Sequence, residues 1–144
     1  STTAKLKHPW EFIHDKIGFN YRMPNLNAAL GYSQMKKMKK FLADKKKTSH
    51  LYKNFFSNVQ GVNFFESTPE SNPNHWLNLI FFSSKEKRDL FLKKSNENKV
   101  NCRAIWKLMP DLNLYKEHED LDIPNAKKIY NSAVLLPSST RQRQ

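Results

Sequence analysis

A proline at position 24, followed by apolar residues at helical spacing as far as about Gly61, constrains this chain more than any other feature. Proline suits the first turn of a helix, where its missing N–H would have no partner. Leu26, Ala29, Leu30, Met35, Met38, Phe41 and Leu42 then fall on one face, and Leu51, Tyr52, Phe55, Phe56 and Val59 extend the stripe. The pattern predicts one long helix, or two joined near Lys46–Ser49. Gly31 inside it costs roughly 1 kcal/mol against alanine. With Ala28 and Ala29 it makes a thin face that another backbone can approach closely.

Beyond Gly61 the texture turns to strand, at Val62–Phe65 and Trp76–Phe82, with Pro69 and Pro73 in the loop between them. Ser83-Ser84-Lys85-Glu86 reads as a capping box opening a helix to about Asn96. Val100–Trp106 is the next strand expected, then a short helix over Asn125–Asn131 and a strand over Ala133–Leu136 before Pro137. This order predicts an α+β fold, a long helix followed by a small sheet with helices on one face. Residues 1–23 read as an irregular arm, punctuated by Pro9 and Gly18, with Trp10, Phe12, Ile13 and Phe19 as apolar anchors. Residues 24–144 form the rest, long enough for one core.

The formal charge is +12, and between Lys36 and Lys53 there are eight lysines and one acid, Asp44. Two readings stand. The lysines flank Met35, Met38 and Phe41, as on the wet side of an amphipathic helix. They also form a surface for a polyanion, which leaves a non-catalytic basic module binding nucleic acid or an acidic partner as an alternative function. Base reading usually recruits arginine in bidentate contacts, so lysine favours the solvated face over nucleic acid.

Trp76–Phe82, the longest apolar run, is interrupted by Asn78 and too brief to span a bilayer. No charged-then-apolar leader stands in Ser-Thr-Thr-Ala-Lys, and the single cysteine, Cys102, fits a reducing compartment. The expectation is a cytoplasmic protein, with Cys102 a small strand residue rather than a catalytic thiol. His8 and His14 with Asp15, and His118 among Glu117, Glu119 and Asp120, lack a spacing that puts ligands on one helix face, so no metal is expected. There is no Gly-x-x-x-x-Gly-Lys loop, no Gly-x-Gly-x-x-Gly loop and no nucleophile elbow.

The chemistry that remains lies in Gly18-Phe19-Asn20-Tyr21-Arg22, where an amide, a phenol and a guanidinium lead into the helix. Asparagine and arginine together suit a phosphate or carboxylate, and a helix N-terminus adds its own preference for an anion. Residue chemistry alone leaves a second reading, in which Asn20 and Arg22 only satisfy turn carbonyls and cap the helix.

The longer run Ile17-Gly18-Phe19-Asn20-Tyr21-Arg22-Met23-Pro24-Asn25-Leu26-Asn27-Ala28-Ala29-Leu30-Gly31 resembles the G-x-N-x-R-M-x-N-L-x-A-A-L-G signature of the DegT/StrS-type nucleotide-sugar aminotransferases. Gln34 continues the likeness. Val100-Asn101-Cys102-Arg103 with Trp106 is similar to that family's I-x-T-R-x-x-W strand, and Leu135-Leu136-Pro137-Ser138-Ser139 to its closing L-P-x-S. His8-Pro9-Trp10-Glu11-Phe12-Ile13-His14-Asp15 and Trp106-Lys107-Leu108-Met109 look most like the branch serving legionaminic and other nonulosonic acids. Pro110 stands near where many members carry a histidine after the tryptophan.

The resemblance implies a pyridoxal-phosphate enzyme of the aspartate-aminotransferase fold (fold type I), dimeric, moving an amino group from glutamate to a nucleotide-linked keto-sugar in surface-glycan or amino-sugar synthesis. The lysine that bonds the cofactor lies upstream of this region in such enzymes, so the chain resembles their C-terminal small domain and is expected to be inactive alone. Asn20 and Arg22 match cofactor-binding positions that an arm carries into the neighbouring subunit's active site. Tyr21, Arg103 and Trp106 match the substrate side. The small face at Ala28, Ala29 and Gly31 is then expected to seat the loop.

Overall fold

The computed structural model describes residues 5–6, 9–14, 23–118 and 122–140. Pro24 precedes helix α1, Asn25–Met35, and α2 spans Met38–Phe56. The junction is a tight turn at Lys36-Lys37, where the Lys37 N–H bonds the Gln34 carbonyl at 2.9 Å. The expected break near Lys46–Ser49 is absent, because the stripe runs through it and the small side chains of Thr48 and Ser49 are themselves buried. Inside the segment expected to be irregular, β1 (Lys5–Leu6) and β2 (Ile13–His14) pair antiparallel.

The main sheet holds β3 (Val62–Phe64), β4 (Asn78–Phe82), β5 (Arg103–Ala104) and β6 (Ala133–Leu136), in the order β3-β4-β6-β5 and antiparallel throughout. Register aligns Phe64 with Ile80, Ile80 with Val134 and Val134 with Ala104, so these four cross the sheet in a row. Period two puts them on one face. That face meets Tyr52 and Phe56 of α2, and Phe91 and Leu92 of α3 (Lys85–Glu97), as the expected layer requires. Ile80, Leu92 and Val134 are fully buried, each contributing about 1.5–3 kcal/mol by transfer from water. Leu79, Leu135 and Arg103 fall on the opposite face.

Three boundaries differ from the sequence pattern. The cap of α3 is Ser84, whose Oγ accepts from the Lys87 N–H, rather than Ser83. Ser84 is the residue with extended backbone, which starts the helix one position later and puts Lys87, not Glu86, at the third helical position. β5 keeps only two residues of the expected Val100–Trp106, because the end of α3 takes the neighbouring groups. The Asn96 amide holds the Cys102 carbonyl at 2.9 Å, and the Val100 N–H bonds the Ser95 carbonyl. β4 starts at Asn78, leaving Trp76 in the preceding loop.

Helix α4, Pro124–Ser132, packs against α3 and β4 and leads straight into β6. Arg88, buried on α3, donates to the Tyr130 carbonyl of α4 at 2.6 Å and pairs with Asp89. Among the described residues no helix is long and apolar enough to cross a membrane.

Candidate functional site

Arg103 and Trp106, singled out from sequence, come together around Phe12. The Arg103 guanidinium carbon lies 5.7 Å from the Phe12 ring centroid. Phe12 stacks nearly parallel on Trp106, with centroids 5.1 Å apart and planes 13° apart. Trp106 in turn meets Trp76, at 6.0 Å and 35°. One cation and three rings thus form a continuous stack from three separate segments. Trp10 packs against the core and Phe12 against Trp106, so two of the apolar anchors expected in the arm do meet an apolar surface.

Sequence reasoning missed Phe12 and Trp76 as site residues. Trp76 has the pattern of a strand start, but local bonds keep it off the ladder. Its N–H donates to the Asn74 side-chain oxygen at 2.9 Å, an Asx turn. His75 adopts φ +49°, a left-handed conformation uncommon outside glycine. The Trp76 carbonyl accepts from the Lys45 ammonium at 3.4 Å. The residue is left 62% exposed. Burial, together with the positive charges of His50 and Lys46, holds the His75 imidazole below its ordinary pKa. His50, His75, Lys53 and Glu66 line a cleft of about 240 Å³ that takes in neither Arg103 nor Trp106.

The Leu-Pro-Ser run at the end of β6 is a structural clamp. Tyr52 Oη donates to the Pro137 carbonyl at 2.8 Å, and Lys45 Nζ to the Ser138 carbonyl at 2.7 Å. The Ser138 hydroxyl takes both the main-chain and side-chain N–H of Asn78 and donates to the Leu136 carbonyl. All of its bonding capacity is used, which leaves no proton or lone pair for chemistry. Cys102 is also spent on packing: burial raises its thiol pKa, partly offset by a hydrogen bond with Ser95, so it is a poor nucleophile at neutral pH.

Asn20, Tyr21 and Arg22 lie outside the described residues, as does Phe19. The helix after them, α1, has all its residues exposed, and no described atom lies within 4 Å of a side chain built at Gly31. The first turn of α1 has no side-chain cap and no acidic residue, so its N–H groups suit an anion. Among the described residues, Lys36 lies over the Tyr32 ring, Lys45 donates to the Ser138 carbonyl, and Lys53 pairs with Glu66.

Sugar aminotransferases of known structure share this fold. PseC of Helicobacter pylori, an aminotransferase involved in the biosynthesis of pseudoaminic acid, matches with a TM-score of 0.76 at 19% identity, over 97% of this chain and 39% of PseC. Spr1654 of Streptococcus pneumoniae in its PLP-form matches with a TM-score of 0.76 at 20% identity, over 94% of this chain and 36% of that one. GDP-perosamine synthase of Escherichia coli O157:H7 is 23% identical over 107 residues, 74% of this chain and 29% of the synthase. The family model for DegT/DnrJ/EryC1/StrS aminotransferases matches residues 3–143, and the chain belongs to that family. It spans about a third of the length of the curated relatives it matches.

Proposed function

We propose that this chain is the C-terminal small domain, with its leading arm, of a pyridoxal-phosphate aminotransferase acting on a nucleotide-linked keto-sugar, with glutamate as amino donor. The observation that carries the reading is the family match across residues 3–143, in a chain whose opening motif offers an amide and a guanidinium before an uncapped helix. In this reading the complete protein is a cytoplasmic dimer, and the cofactor-bonding lysine comes from the upstream part.

When bound, pyridoxal phosphate supplies the electron sink for moving the amino group. This chain's residues do the holding. The described groups next to the motif fit a phosphate, since the first N–H groups of α1 face no acid. Asn20 would donate an amide N–H to the phosphate and Arg22 a planar pair of charged donors, both inside the neighbouring subunit's site. Tyr21, Arg103 and Trp106 would serve the substrate side, with the Arg103 guanidinium over the Phe12 ring.

The test is to incubate the complete protein with pyridoxal phosphate, glutamate and a panel of keto-sugar nucleotides, and to measure 2-oxoglutarate and the amino-sugar by mass. Matched formation of both on at least one substrate supports the reading. No amino-sugar from any of them, by a folded protein that retains the cofactor, overturns it.

A further inference from the structure

We propose that the exposed end of the Arg103–Phe12–Trp106–Trp76 stack seats the base of the nucleotide-linked substrate, with the Trp76 ring as its contact surface. The inference rests on the nucleotide-sugar reading above and adds a residue to it. Among the described residues Trp76 meets one ring only, Trp106, and 62% of it remains exposed. Its backbone is nonetheless held at three points: the Asn74 turn at its N–H, the left-handed His75 before it, and Lys45 on its carbonyl. A non-glycine residue held at positive φ is strained, and such strain persists where the surrounding structure fixes it and the position is used. Here it turns an indole outward in place of two further residues of β4.

Behind Trp76 the stack continues through packed groups. Phe12 and Trp106 lie nearly parallel, and Arg103 on β5 caps the inner end over Phe12. A planar face already fixed in place costs little ordering on binding. A diphosphate has no apolar face to match it and a pyranose offers only a puckered patch of C–H bonds, whereas both faces of a nucleobase are planar and conjugated, so the base is the part of the substrate that fits this surface best. Stacking is tolerant of base identity, so uridine, thymidine and guanosine diphosphates are all expected to bind here, ahead of a sugar phosphate.

The experiment titrates the complete protein with these three nucleoside diphosphates, and with inorganic pyrophosphate and ribose 5-phosphate, using tryptophan fluorescence and calorimetry. Trp76→Ala is expected to weaken nucleoside diphosphates roughly tenfold or more while leaving pyrophosphate unchanged. Trp76→Phe should keep most of the affinity. In turnover, Trp76→Ala should raise KM for the nucleotide-sugar far more than it lowers kcat. Unchanged nucleotide affinity and KM in a folded Trp76→Ala protein overturns the proposal. So does loss of stability without loss of nucleotide affinity, which would mean that another part of the protein covers this ring. The two readings separate cleanly. Nucleotide binding that depends on Trp76 without transamination leaves the stack standing and removes the aminotransferase, and transamination indifferent to Trp76 does the reverse.

Discussion

Ser138 Oγ accepts two hydrogen bonds from one residue, the main-chain N–H of Asn78 at 3.0 Å and its side-chain amide at 2.9 Å. Both residues are buried, and the bonds join the start of β4 to the chain leaving β6. Ser138→Ala would strand two buried donors, each costing about 1–3 kcal/mol, where the wild-type bonds net less. A loss of about 2 kcal/mol should lower the midpoint of thermal unfolding by roughly 4–8 °C. Replacing Asn78 by alanine as well should recover part of that loss, since one stranded donor goes with it. A Ser138→Ala midpoint equal to wild type would show that the pair is not a clamp.

The pattern of apolar residues made the larger elements readable. β6 was legible because four buried residues, Ala133 to Leu136, run directly into a proline. α3 was legible because its polar face and serine start are local. What could not be read was set by side chains far away in sequence or by single backbone angles. The shortening of β5 depends on Asn96 reaching the Cys102 carbonyl, and the exclusion of Trp76 from β4 depends on the left-handed His75. Arg103 and Trp106 were found only by resemblance. Nothing local to them announces that Phe12, some ninety residues earlier, completes their stack.

His75 gives the chain a pH dependence with a definite sign. Its folded pKa lies below the ordinary histidine value of about 6.5, through burial first and then through His50 and Lys46. As pH falls below about 6.5 the unfolded chain takes up a proton that the folded one resists. The stability linked to this group is therefore present above that pH and lost as pH drops toward the folded pKa. His75→Asn should flatten the slope of unfolding free energy between pH 7 and 5. It should also relieve backbone strain, since asparagine tolerates the left-handed region. Denaturant melts at several pH values measure this, and an unaltered slope would remove His75 as the source.

The exposed face of α1 predicts that the isolated chain associates. Leu26 is 80% and Leu30 60% exposed, with Met23 and Met35 alongside. Trp10 and Phe12 do not add to this patch, because both are half-buried against the sheet. A contiguous apolar patch of this kind marks a surface that is normally covered. Sedimentation should show concentration-dependent oligomers that bind a hydrophobic dye, and Leu26→Glu with Leu30→Glu should suppress both. A clean monomer over a wide concentration range, with no dye binding, would contradict the expectation.

The last prediction concerns the proposed arm in the complete protein. If Asn20 and Arg22 serve the neighbouring subunit, each active site needs the upstream lysine of one chain and the arm of another. A hydrogen bond to a charged phosphate is worth about 1.5–3 kcal/mol, so Asn20→Ala should weaken cofactor retention on the order of tenfold or more. Arg22→Ala should impair both substrate and cofactor handling, more severely than Arg22→Lys, which keeps the charge and loses only the planar fork. Mixing Asn20→Ala subunits with subunits whose cofactor lysine is replaced separates the two arrangements. In a mixed dimer with the arm acting across the interface, one site carries both lesions and the other carries none. Activity should then return partly, up to about half of the wild-type sites per mixed dimer. With the arm acting within its own chain, every site keeps one lesion and mixing restores nothing. Heterodimers that form, as seen by mass, yet remain inactive would therefore assign Asn20 to its own subunit.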